Sequence, residues 1–271
     1  MPRTINPKKN DTAPGLVRLA LEMRAPWELG IALAAYPLMR KAPAGDGHPV
    51  LVFPGLAAGD VTTVVIRRFL SGLGYQAYAW EQGLNFGPRP GVLEACVEKV
   101  RQLRAEHGRK VSLVGWSLGG VYAREIAKML PDDVRVVVSL GSPFTGSPKA
   151  TNAWRVYQLV SGEKEIDEER FAALKESPKV PTTSIFSRTD GVVAWQCSLE
   201  QETAHSENIE VLASHVGMGM NPTALYAIAD RLVQPEGKWK RFDHEAHTGI
   251  KKLLFLDPKR SSWPNPFFGF Y

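Results

Sequence analysis

Residues 110–122, KVSLVGWSLGGVY, constrain this chain more than any other stretch. Val111-Ser112-Leu113-Val114 reads as a buried strand that runs into Gly115-Trp116-Ser117-Leu118-Gly119 and then into an amphipathic helix. A serine between glycines at this spacing lies on a turn so tight that only small neighbours fit, which pushes its hydroxyl away from the backbone. That is a nucleophile's position. A bare strand–turn–helix junction gives the same letters by chance, but here both flanks have the required character.

The surrounding pattern sets the architecture. Residues 48–53, 75–80, 111–114 and 134–140 form short apolar runs, as expected of strands buried on both faces. Helical stripes separate them: Val61, Val64, Val65, Phe69 and Leu73, with Asp60 as the expected cap, then Leu93, Cys96, Val97, Val100 and Leu103, ending at Gly108. A βαβ alternation with crossovers of this length implies parallel strands covered by helices on both faces. Residues 183–186 and 209–212 are expected as the last two strands, before a helix capped by Asn221-Pro222 with Ala224, Leu225, Ile228 and Leu232 inward.

The chain of 271 residues divides on this basis into an α/β core at 48–147 and 181–236, with three other parts. Residues 1–47 form an N-terminal extension, polar and disordered to about residue 13. Helices follow over 14–36, with apolar positions Leu16, Leu19, Ala20, Met23, Trp27, Leu29, Ile31 and Leu33, and Pro37 is expected to end them. Residues 148–180 interrupt the alternation as a helical cap or lid, and 237–271 form a basic, aromatic tail ending in Trp263, Phe267, Phe268, Phe270 and Tyr271. Both extensions are expected to pack on the body. The alternative for 14–36 or 237–271 is peripheral contact with a membrane or lipid interface.

Composition excludes other classes. The formal net charge is +5, of which seven Lys/Arg against three Asp/Glu in 237–271 supply +4, with no motif of a nucleic-acid reader. Cys96 and Cys197 are too few for a disulfide framework, so two reduced thiols are expected. Neither a secretory signal nor a spanning helix is legible, and a cytoplasmic protein, membrane-associated at most, is expected. Asp243, His244 and His247 have weak metal-type spacing; no metal and no cofactor is expected.

A serine hydroxyl needs an imidazole to take its proton and a carboxylate to hold that imidazole in the right tautomer. In an open parallel sheet such groups gather where loops leave the carboxyl ends of strands. His215 follows the last expected strand in Ser214-His-Val-Gly217, and Asp190 follows the preceding one in Ser187-Arg-Thr-Asp-Gly191. His48, His107, His205, His244 and His247 fit less well: wrong strand end, surface helix, polar loop and tail. Two amides suit a developing oxyanion, those of Leu118, at the start of the helix, and Leu56, in the Pro54-Gly55-Leu56 exit from the first strand. Trp116, Phe144, Trp154, Tyr157 and Trp195 are candidate walls of an apolar pocket, though each also suits plain core.

Ser117, Asp190 and His215 in that chain order, with GWSLGG, the upstream VFPGL and the later LGSPFTGS, resemble the α/β-hydrolase superfamily, bacterial lipases and esterases in particular. The likeness runs from about His48 to Gln234. Where that branch commonly has a His-Gly pair in the first turn, this chain has Pro54-Gly55, as in polyester-hydrolase-like members, and so lacks a side chain that often organises the loop. The resemblance implies a mostly parallel α/β-hydrolase sheet, a cap over 148–180, and a cofactor-free carboxylic-ester hydrolase working through an acyl-enzyme on a small-molecule or lipid ester. The same triad serves acyl transfer and thioester or amide cleavage. A non-catalytic lipid-binding protein on this fold is the remaining alternative.

Overall fold

A computed structural model describes residues 12–147, 150–153, 158 and 172–243. Six parallel strands form one sheet in the order β2-β1-β3-β4-β5-β6. They are β1 (Pro49–Phe53), β2 (Gln76–Ala79), β3 (Val111–Trp116), β4 (Val134–Leu140), β5 (Thr182–Phe186) and β6 (Ser206–Glu210). The helices that matter here are α1 (Leu16–Ala20), α2 (Ala25–Met39), α3 (Val64–Gly72), α4 (Val92–His107), α5 (Leu118–Met129) and α6 (Pro222–Leu232).

The apolar runs of the strands are continuous because each strand faces two cores. Along β1, Val50 and Val52 join one cluster with Ile66, Phe69 and Leu70 of α3 and Leu225 and Ile228 of α6. Leu51 and Phe53 point the other way, to Val97, Val100 and Leu103 of α4 and Ala123 and Ile126 of α5. Each fully buried side chain of this size contributes about 1.5–3 kcal/mol over its exposed state, so the two faces rather than local propensity hold the sheet. Cys96 and Cys197 are free and lie in different clusters. Burial pushes the Cys96 thiol up to about 12.

Several expectations need correction. Asp60 makes no capping bond; it opens a short 3-10 turn, Asp60–Thr63, that leads into α3, and Val61 of the expected stripe points to solvent. The last strand lies earlier than 209–212, because Ser206 to Glu210 pair in register with β5 and the chain leaves the sheet at Val211. Pro37 does not end its helix: α2 continues to Met39, and Arg40 N donates to Tyr36 O at 3.1 Å, so the ring removes one N–H bond without breaking the turn.

The helices of 14–36 pack on the body, but not through most of their apolar positions: Leu16, Met23, Trp27, Ile31 and Leu33 are exposed, Trp27 by 76%. What α2 buries is Ala25, Glu28, Ala32 and Met39, a face narrow enough to lie close against α6. The cap expected at 148–180 lies largely outside the described residues, as do 1–11 and 244–271, including His244, His247 and the terminal aromatics.

Candidate active site

The carboxyl ends of β1, β3, β5 and β6 lead into the loops that carry the expected groups. Ser117 stands between β3 and α5 with φ 53° and ψ −124°, a conformation that L residues avoid and that turns the chain at once from strand to helix. Its neighbours must be glycine for lack of room. A Cβ on Gly115 would strike the Gly119 carbonyl, and one on Gly119 would strike the carbonyls of Phe53 and Pro54. The sharp turn is thereby pressed against the exit of β1, and a Cβ on Gly55 would lie 3.3 Å from the Ser117 Cβ.

Ser117 Oγ is 2.9 Å from His215 Nε2, and His215 Nδ1 is 2.7 Å from Asp190 Oδ2. The other oxygen of Asp190 accepts the amides of Val192 and Val193, each at 2.8 Å, so the carboxylate is held from its own loop while it orients the ring. With the Nδ1 proton directed at Asp190, Nε2 carries the lone pair that faces the hydroxyl. All three residues are nearly buried, Ser117 at 8% exposure. Burial pushes the imidazole down, but the charge and hydrogen bond of Asp190 and the charge of Glu22 outweigh it and raise its affinity for a proton above the ordinary value. Gly141 lies under the Asp190–His215 bond, where a Cβ would come within 3.1 Å of both partners.

Leu118 is the first residue of α5, where amides have no acceptor within the helix and the dipole is positive. Leu56 sits in the turn after β1. That turn is organised by a residue the sequence reading missed. Asn85, wholly buried, donates from Nδ2 to Pro54 O at 2.8 Å; its backbone N–H donates to Ala58 O at 2.9 Å and its carbonyl accepts from Ala57 N at 2.7 Å. It supplies from a different loop the support that Pro54 cannot. Only the proximity of a glycine- and proline-rich loop hinted at it.

The aromatic candidates fall in different places. Trp116 donates from Nε1 to His215 O at 3.0 Å, so it bears on the histidine loop. Phe144 is buried with the Arg124 guanidinium 3.8 Å above its ring, and Arg124 is itself paired with Glu200 in the interior. Trp195 stacks on Phe186 with Arg188 over its face. Trp154 and Tyr157 lie outside the described residues.

The sequence reading also missed three polar residues of the N-terminal segment. Glu22, Arg24 and Glu28 meet the loops of Asp190 and His215, with Glu22 Oε1 accepting from His215 N at 2.9 Å. No periodicity signals them, because Glu22 and Arg24 lie in a 3-10 turn, Leu21–Arg24, and Glu28 in the helix that follows. Among the described residues no group of three or more His, Cys, Asp or Glu is placed to hold a metal ion. No helix among them is long and apolar enough to cross a membrane.

Comparison with known proteins identifies the family and the fold. Residues 45–250 match the model of the "Alpha/beta hydrolase family". A thioesterase, frbD of Dothideomycetidae sp. (strain 11243), is 33% identical over 98 residues, a match that spans 33% of this chain and 37% of that protein. Among solved structures, Aspergillus fumigatus lipase B superposes with a TM-score of 0.56 at 18% identity, covering 71% of this chain and 54% of that one. A monoacylglycerol lipase of Paleococcus ferrophilus gives 0.51 at 20% identity over 70% and 97% of the two chains. These structural likenesses concern the fold.

Proposed function

Because the chain belongs to the alpha/beta hydrolase family, we propose that it hydrolyses apolar carboxylic esters through an acyl-enzyme on Ser117. The observation that carries this reading is the unbroken chain from Asp190 Oδ2 through His215 to Ser117 Oγ, at 2.7 and 2.9 Å, on a strained turn at the carboxyl end of β3. In the proposed sequence, His215 Nε2 takes the hydroxyl proton as Oγ bonds to the ester carbonyl carbon. The amides of Leu56 and Leu118 donate to the resulting oxyanion. The carbon–oxygen bond to the alcohol breaks, the alcohol takes the proton from His215, and water repeats both steps to release the acid. The neutral imidazole is the working base, and no metal or cofactor takes part in these steps.

The substrate side of the reading is an ester presented at a lipid surface. Leu16, Met23, Trp27 and Leu33 are exposed on the N-terminal helices beside Arg18, Arg40 and Lys41, while Glu22 and Glu28 of the same segment turn to the body. An apolar face fringed by cations suits an anionic lipid surface.

Replacing Ser117 by Ala, with folding checked by circular dichroism, is expected to abolish the burst of p-nitrophenol from a p-nitrophenyl ester and labelling by a fluorophosphonate. Retained burst in that variant overturns the scheme. A second reading, thioester cleavage, draws on the 33% identity to a thioesterase. Rates on an oxygen ester and a thioester with the same acyl group, each with an added alcohol or amine acceptor, separate ester hydrolysis, thioester hydrolysis, amide formation and acyl transfer. Absence of labelling in the folded wild-type chain would favour a lipid-binding role instead.

A further inference from the structure

The two loops that carry Asp190 and His215 are held by side chains far from them in sequence. Glu22 Oε1 accepts from Gly191 N at 2.7 Å and from His215 N at 2.9 Å, and its Oε2 accepts from Val216 N at 2.9 Å. One carboxylate thus joins the residue after Asp190 to the histidine itself. Glu28 Oε1 accepts from Ser214 N at 2.7 Å and Oε2 from Ser214 Oγ at 2.8 Å; that hydroxyl in turn accepts from Gly217 N at 2.9 Å, which closes the turn around His215. Arg24 completes the set. Its Nε donates to Glu28 Oε1 at 3.1 Å, while Nη2 donates to Thr189 Oγ1 at 2.7 Å and Thr189 O at 3.2 Å, next to Asp190.

The fit leaves no space for larger residues in either loop. A Cβ on Gly191 would strike the Arg18 carbonyl, and one on Gly217 would strike the Glu28 carboxylate. Both glycines admit the N-terminal segment to close contact.

We propose that Glu22 is a positioning residue of the site and that Glu22, Arg24 and Glu28 together form a clamp fixing the Asp190 and His215 loops in register. This rests on the reading of Ser117, Asp190 and His215 as the reacting set. Amide donors to a carboxylate are charge-assisted bonds, stronger than neutral ones and directional, so three of them fix the loop backbones rather than merely cover them. A misplacement of about 1 Å in a group outside the chemistry is enough to cost about 100-fold in rate. Glu22 has a second effect: its negative charge favours the protonated form of His215, alongside Asp190 on the ring nitrogen, with Glu28 and Arg24 facing the same loop as an ion pair.

Glu22→Ala and the near-isosteric Glu22→Gln separate the two effects. Glu22→Ala is expected to lower kcat roughly 10- to 100-fold with KM little changed, since substrate contacts are untouched. Glu22→Gln keeps an oxygen for Gly191 and His215 but loses the charge. It is expected to recover part of kcat and to move the His215 titration midpoint, followed by NMR of the imidazole, to lower pH. The acidic limb of fluorophosphonate labelling at Ser117 moves with it. Wild-type kcat in folded Glu22→Ala overturns the clamp; if that variant does not fold, wild-type kcat together with an unchanged His215 midpoint in Glu22→Gln overturns it. The failure of the ester reading looks different: a wild-type chain that cleaves no ester while the His215 midpoint still moves in Glu22→Gln.

Discussion

Among the described residues two aspartate–histidine–serine chains are present, and they differ in where the sheet places them. In the second, His48 Nδ1 is 2.5 Å from Asp46 Oδ1 and His48 Nε2 is 2.7 Å from Ser112 Oγ, a spacing close to that of the candidate site. Yet His48 and Ser112 are wholly buried at the amino end of the sheet, and Arg135 stands 3.0 Å from the ring. Burial, opposed by the hydrogen bond to Asp46 and joined by the charge of Arg135, pushes His48 down to about 4. His215 is shifted the opposite way, with the carboxylates of Asp190 and Glu22 beside it. Two expectations follow at this scale. The acidic limb of kcat/KM has its midpoint above pH 6.5, because the base works only when neutral. As pH falls from 6.5 to about 4, the unfolded chain binds a proton that folded His48 refuses, so stability drops by up to about 3 kcal/mol. Thermal melts over this range check the second, and His48→Gln flattens the slope.

At the scale of elements, continuous apolar runs and glycine stops locate the strands and helices well, since each needs only residues within a few positions. Gly108 does end α4 in the left-handed conformation, and Asn221 caps α6 with bonds to Thr223 N and Ala224 N. Errors fell where a local signal had a tertiary competitor. Asp60 has a capping side chain but a 3-10 turn instead, and β6 is polar at Glu207 and Glu210 because those carboxylates pair inward with Arg231 and Arg188. The sharp turn at Ser117 is an element of its own, built against β1. Gly119→Ala places a methyl group on the Phe53 and Pro54 carbonyls and is expected to cost about 1–3 kcal/mol, or more if the β1 exit cannot shift. A lowered melting temperature together with a lower acylation rate checks it; a stable, fully active Gly119→Ala chain contradicts the described packing.

The N-terminal helices turn small side chains and Glu28 inward and leave large apolar side chains out, unlike an ordinary surface helix. Under the proposed function this face meets anionic lipid. Trp27→Ser combined with Leu33→Ser is expected to leave hydrolysis of a soluble short-chain ester unchanged and to weaken activity on a long-chain ester in anionic vesicles. Equal activity of both proteins on the vesicles rules out that contact. The sequence alone determined the parallel α/β core, the strained serine turn and the order of Ser117, Asp190 and His215, because strand, turn and helix signals are written in neighbouring residues. The tertiary structure decided the orientation of 14–39, the support of the β1 exit by Asn85, and the contacts of Glu22, Arg24 and Glu28 with the Asp190 and His215 loops. Glu22 and His215 are 193 residues apart, and no local periodicity records which face of a helix will find buried amides that lack an acceptor.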